Sequence, residues 1–175
     1  SVYTLNSAGS GEILTIEGSL NLNGTASVTI NGPVTMGNSA SIEGSGDVTF
    51  AGVISGAGGL TKNGTGTTTI TASIPNYSGT TSINEGTLVF QNTAIQTASV
   101  FNHVIASGAT LEYTTSGGNN DPTALDVSGS GTFKKTGAGQ FSLISSQSDW
   151  AMSSGGLVHV EEGTFNFGGP TPGRW

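Results

Sequence analysis

The chain has 175 residues, no cysteine, one arginine and three lysines. Without cysteine it has neither a disulfide nor a thiolate metal site. The four basic residues are Lys62, Lys134, Lys135 and Arg174, against 11 acidic ones, for a net charge of −7. No basic stripe exists, so nucleic acid is not expected as a partner, and an anionic membrane is disfavoured for the same reason. No apolar run approaches the ~18–20 residues that cross a bilayer, so this segment is not expected to insert into a membrane. The chain opens on polar Ser1-Val-Tyr-Thr4, with no leader pattern. An export signal and any anchor are therefore expected outside these residues. Charged residues are only 9%, well below the ~25% of ordinary globular chains. Disordered segments combine high net charge with few β-branched residues. This chain is instead rich in Thr, Val and Ile, which favour strands.

What is present is a grammar that recurs. Ile54, Gly56, Gly58, Leu60, Lys62, Gly64, Gly66, Ile70 and Tyr77 return 73 residues later. Their matches are Val127, Gly129, Gly131, Phe133, Lys135, Gly137, Gly139, Leu143 and Trp150. Glu85-Gly-Thr-Leu-Val-Phe90 returns at an offset of 77 as Glu162-Gly-Thr-Phe-Asn-Phe167. Repetition of this kind is the signature of a solenoid. Each unit is a short strand with alternating apolar positions, closed by Gly, Asn or Ser. Alternation at period two sends one side chain in and the next out. Glycine supplies the positive φ and the close backbone approach of sharp corners.

Residues 1–50 follow the same rule. Ile13–Ile16, Leu20–Leu22, Val28–Ile30, Val34–Met36 and Val48–Phe50 alternate and are separated by Gly- and Asn-containing corners. Strands this short hold register only when stacked on like strands. The expected fold is all-β: a single-stranded right-handed parallel β-helix of roughly 7–9 coils over residues 1–167. Asn-Gly between alternating runs is also a hairpin signal, so an antiparallel β-sandwich is the alternative. Residues 91–103 read as a loop or short helical insertion, and Ser116–Pro122 as a turn or protruding loop. The Pro/Gly-rich residues 168–175 read as a tail or linker, since proline lacks the ladder donor. Inward positions are expected at Ile16, Leu22, Ile30, Phe50, Ile70, Leu88, Phe90, Leu111, Tyr113, Leu143, Val160, Phe165 and Phe167.

Leu60-Thr-Lys-Asn-Gly-Thr-Gly-Thr-Thr-Thr-Ile70, followed by Asn76-Tyr-Ser-Gly-Thr-Thr-Ser-Ile-Asn-Glu-Gly-Thr-Leu88, resembles the passenger-associated repeat of bacterial autotransporters and related giant surface proteins. Ser107-Gly-Ala-Thr-Leu-Glu-Tyr113 is similar to another recurring piece of such passengers. The resemblance implies a parallel β-helix passenger that is secreted or displayed on the bacterial surface. It does not single out a function, because such passengers include adhesins, stalks, toxins and enzymes.

The catalytic inventory is small. His103 and His159 are far apart in sequence, and no Ser sits in a Gly-x-Ser-x-Gly elbow. Asp47, Asp121, Asp126 and Asp149 are dispersed, although a solenoid is able to stack two carboxylates from different coils at glycosidase spacing. No catalytic residue, metal ligand or cofactor is therefore assigned. His159 is read as an outward residue paired with Glu161 in solvent. Asn119-Asn-Asp121 lacks a calcium-loop pattern and is read as a turn. Thr67–Thr71 with Thr80-Thr81 suggests an ice-binding ladder, but no regular two-column array is evident. Tyr77 and Trp150 are the candidate ligand residues. As equivalent aromatics in two repeats, they are expected on one outer face, where their rings would stack on glycan C–H patches.

The function expected is that of a non-enzymatic extracellular or bacterial cell-surface solenoid segment, serving as stalk, spacer or adhesin passenger. The alternatives are a carbohydrate-binding module using exposed aromatics and a polysaccharide-active enzyme. The expected partners are a glycan or a host or neighbouring-cell surface, together with neighbouring repeats of the same long chain.

Overall fold

The structure, a computed structural model, describes residues 2–5, 12–38, 40–71, 75–91, 100–117, 119–120, 124–143 and 148–167. Every strand pairing is parallel. The antiparallel sandwich is thereby excluded, and the described residues contain no helix. The chain winds repeatedly through three faces, a β-solenoid.

Face A is an eight-stranded sheet. Its strands are Val2–Leu5, Ser27–Ile30, Asp47–Phe50, Thr67–Ile70, Thr87–Gln91, Thr110–Thr114, Thr132–Thr136 and Leu157–Val160. Face B holds Leu14–Ile16, Val34–Met36, Ile54–Gly56 and Asn76–Tyr77. A separate sheet of Asn119–Asn120, Gln140–Leu143 and Thr164–Phe167 fills the same step of the later coils. Face C has seven strands: Ser19–Leu22, Ser41–Gly44, Leu60–Lys62, Thr81–Ile83, Val100–Ile105, Ala124–Gly129 and Trp150–Met152. The strand numbers on faces A and C are roughly consistent with the 7–9 coils expected.

Register fixes the coil length. Val28, Val48, Thr68 and Leu88 are successive partners, so a pass takes 20 residues there. The later steps, Leu88 to Leu111 to Phe133 to Val158, take 23, 22 and 25. The offset of 73 seen in sequence is therefore not a whole number of coils. Leu60-Thr-Lys62 lies on face C, whereas its match Phe133-Lys-Lys135 lies on face A. The repeat is shifted by one face, because strands on all three faces obey the same alternation.

Inward side chains stack in columns along the axis. One column runs Ile30, Phe50, Ile70, Phe90, Tyr113, Lys135, all buried. The early coils pack mostly aliphatic residues such as Ile16, Met36, Ile42 and Val48, with Phe50 among them. From Tyr77 onward the core is a run of rings, including Phe101, Phe90, Tyr113, Phe133, Phe141 and Phe165, with neighbouring centroids 5.0–6.2 Å apart. Each large side chain removed from water contributes roughly 1.5–3 kcal/mol.

Of the expected inward positions, those from Ile16 to Leu143 are buried. Val160 and Phe167 are exposed and Phe165 is partly buried. Their strands, Leu157–Val160 and Thr164–Phe167, are sheet edges, and among the described residues no further coil covers them.

Two segments differ from expectation. Val100–Ile105 is a strand on face C, so it takes up the last residues of the expected insertion; residues 92–99 lie outside the described residues. Asn119–Asn120 is a short strand paired with Gln140 and Phe141 rather than a turn, and Asp121 lies outside the described residues. The expected tail, 168–175, also lies outside them.

Candidate functional site

Tyr77 and Trp150 do not form an outer aromatic pair. Tyr77 is on face B and Trp150 on face C, a consequence of the one-face shift. Tyr77 is 3% exposed. Its ring meets Phe101 edge-on at 6.2 Å, and its hydroxyl is 2.7 Å from the Thr81 hydroxyl. Burial raises its pKa to about 12, against a smaller opposing effect of that hydrogen bond. Trp150 is half-buried and packs edge-on against Phe133 at 4.9 Å, Phe165 at 5.8 Å and Phe167 at 5.4 Å. Its indole N–H is buried without a hydrogen-bond partner. Both rings serve the core. Polar neighbours suggested exposure in the sequence, but in a solenoid a polar neighbour simply occupies the outward half of the alternation.

The buried polar groups were not singled out from sequence. Lys62 is 1% exposed and Lys135 fully buried. The Lys135 ammonium donates to the carbonyls of Thr136 at 2.7 Å, Gly137 at 2.6 Å and Glu162 at 3.1 Å. Lys62 repeats the arrangement, donating to the Gly64 carbonyl and to that of Glu85 at 3.3 Å. Each lysine ties a glycine corner of its own coil to the Glu-Gly corner of the next. Desolvation lowers both pKa values, partly offset by Glu85, Asp47 and Glu43 around Lys62 and by Glu162 around Lys135. The signal was present in Leu60-x-Lys62 and Phe133-x-Lys135, where period two turns lysine inward.

His103 is the third such group. It lies in the column Thr81, His103, Val127 and is fully buried. Its Nε2 is 2.9 Å from the Tyr113 hydroxyl, and its Nδ1 has no partner. Phe101 stacks on the imidazole at 5.8 Å, and Phe90 lies tilted at 5.5 Å. Phe101-x-His103-x-Ile105 was again the available signal.

The outer surface is made of ladders. On face A one column reads Thr29, Thr49, Thr69, Val89, Glu112, Lys134, His159, and another Asp47, Thr67, Thr87, Thr110, Thr132. Threonines thus do align, although only at Thr67 and Thr69 does one strand carry threonine in both columns. Thr81 belongs to neither column, being buried against Tyr77. Asn84 donates its side-chain N–H to Asn63 at 2.7 Å, and Asn63 donates to Glu43 at 2.8 Å. His159 is exposed, and its neighbour Glu161 pairs with Lys134, which also lies 3.8 Å from Glu112. The Lys134 hydrogen bond and charge lower the Glu161 pKa. Among the described residues no group of three or more His, Asp or Glu is placed to hold a metal. An open groove of about 420 Å³ lies between Leu5, Ile13, Leu14, Ile30 and Pro33 at the first coils.

These features define a parallel β-solenoid with polar ladders on its outer surface and buried lysines that fasten its corners. Residues 60–90 match the passenger-associated-transport-repeat family, the repeat of autotransporter passengers that this stretch resembles. The matched segment runs from Leu60 on face C through faces A and B, back to Thr81 stacked on Leu60, and on to Phe90 on face A. It is one full pass of three faces plus two faces of the next. No curated protein and no solved structure matches the chain.

Proposed function

We propose that these residues form a rod-like segment of an autotransporter-type passenger, displayed outside the bacterial cell as stalk, spacer or adhesin surface, with no catalytic role. The observation that carries this reading is the passenger-associated-transport-repeat at 60–90, embedded in a solenoid whose other coils follow the same construction. Contact with a glycan or a cell surface would use the outward ladders of face A, a broad polar surface built from many coils, rather than the inward Tyr77 and Trp150. Stability of such a rod is close to a sum over coils and their interfaces, which suits a module that is lengthened by adding passes.

The test is display. The segment is fused between an export signal and a bacterial outer-membrane barrel, and intact cells are probed with antibody and protease. The expected result is surface-exposed, protease-resistant solenoid. Retention inside the envelope, or display only as a protease-sensitive chain, overturns the reading.

A further inference from the structure

We propose that His103 makes the middle of the solenoid acid-labile, so that the pass formed by Val100–Ile105 opens from its neighbours Thr81–Ile83 and Ala124–Gly129 when the surroundings fall below about pH 6. The proposal is independent of where the protein is displayed.

The argument begins with what surrounds the imidazole. On its own face it stacks between Thr81 and Val127. Across the core it meets Phe90 from the Thr87–Gln91 strand and Tyr113 from the Thr110–Thr114 strand. On its own strand it lies against Phe101. The titratable groups on this side of the core are the Tyr113 and Tyr77 phenols, and burial raises both pKa values, so they remain neutral in acid. Among the described residues no carboxylate faces the ring. Asp126 lies on the neighbouring strand but in register with Asn102, on the outward half of the alternation. The inward cations of the neighbouring coils, Lys135 in register with Tyr113 and Lys62 in register with Ile83, are held by corner carbonyls. As like charges they oppose an imidazolium. With Nδ1 unpartnered and no anion to receive a second N–H, the closed pass accommodates only neutral His103. Desolvation accordingly lowers its pKa to about 3.

In the opened pass the imidazole meets water and regains an ordinary pKa of ~6.5. Protonation of the opened form then multiplies the opening constant by about 4-fold at pH 6, about 30-fold at pH 5 and about 100-fold at pH 4.5. The dependence is one proton, roughly tenfold per pH unit through this window. It levels off only near the closed-state value of about 3. The proton comes from solvent and no bond is made or broken.

Amide hydrogen exchange on the full chain, corrected for intrinsic rates, tests the idea between pH 7 and 4.5. Amides of Val100–Ile105 should lose protection by about 25-fold from pH 7 to 5, while those of Asp47–Phe50 change far less. His103→Gln keeps a neutral side chain able to hydrogen-bond the Tyr113 hydroxyl and should abolish the pH step; His159→Gln, at the exposed histidine, should leave it intact. An unchanged step in His103→Gln, or a flat wild-type profile, overturns the proposal. Should His103→Gln fail to fold, the imidazole resonances of the wild-type protein decide: His103 should stay neutral until the pass opens. A His103 ring that titrates near 6.5 inside the folded protein overturns the proposal.

Discussion

At the scale of single residues, the chain spends its few charges in two contrasting ways. Lys134 stands on the outside between Glu112 and Glu161, and exposed pairs of this kind contribute little to stability. Lys135, its neighbour, is buried against three carbonyls. Replacing it with methionine fills similar space but takes the ammonium from the Gly137 and Glu162 carbonyls, while that of Thr136 still accepts from the Thr115 N–H, at ~1–3 kcal/mol for the site. Lys135→Met should therefore lower the urea midpoint clearly, while Lys134→Met shifts it little; equal shifts would show that the corner does not depend on the ammonium. The pH sense follows from the lowered pKa of Lys135. Approaching its ordinary value of 10.5 from below, the unfolded chain holds more protons than the folded one, so this group's contribution to stability rises with pH there. Methionine should remove that increment.

At the scale of strands and corners, much of the architecture was legible. Alternation at Val28–Ile30 or Thr87–Phe90 marks a short strand, and the glycine-rich breaks mark its ends, because the side-chain period and φ freedom are local properties. The corner expected at Gly137 has φ of 75°, and a Cβ there would lie 2.4 Å from the Thr115 carbonyl oxygen. Gly137→Val should cost roughly 1–3 kcal/mol from backbone strain alone; chemical denaturation measures it, and a shift of a few tenths would show the corner to be relaxed. Gly64, its match in sequence, is not at positive φ, but its Cβ would lie 2.0 Å from the Gly44 carbonyl oxygen. One needs glycine for conformation and the other for space. What was not legible was which face a strand joins. Leu60 and Phe133 look alike because each begins an inward-outward-inward triplet, and nothing local distinguishes face C from face A. The misplacement of Tyr77 and Trp150 on a common outer surface follows from that ambiguity. The inward Lys62, Lys135 and His103 were missed for a different reason: residue type outweighed their position in the alternation.

At the scale of the whole molecule, each described strand pairs only with strands of the coil before or after it. Loss of one pass therefore uncovers only its neighbours, as the quasi-one-dimensional picture of repeat proteins requires. The 20-residue pass between Val28 and Leu88 has a mechanical consequence. Pulled from its two termini, the rod should not lengthen smoothly. A released pass gives up about 20 residues of slack, at ~3.3–3.6 Å each, so the tether should jump by about 65–70 Å at a time while these coils are peeled. An optical trap reads the jump directly, and a single long rip across all of them would contradict coil-by-coil release. A domain with one shared core breaks once under load. This one would yield by increments, absorbing repeated tugs while the passes still wound keep their strands in register.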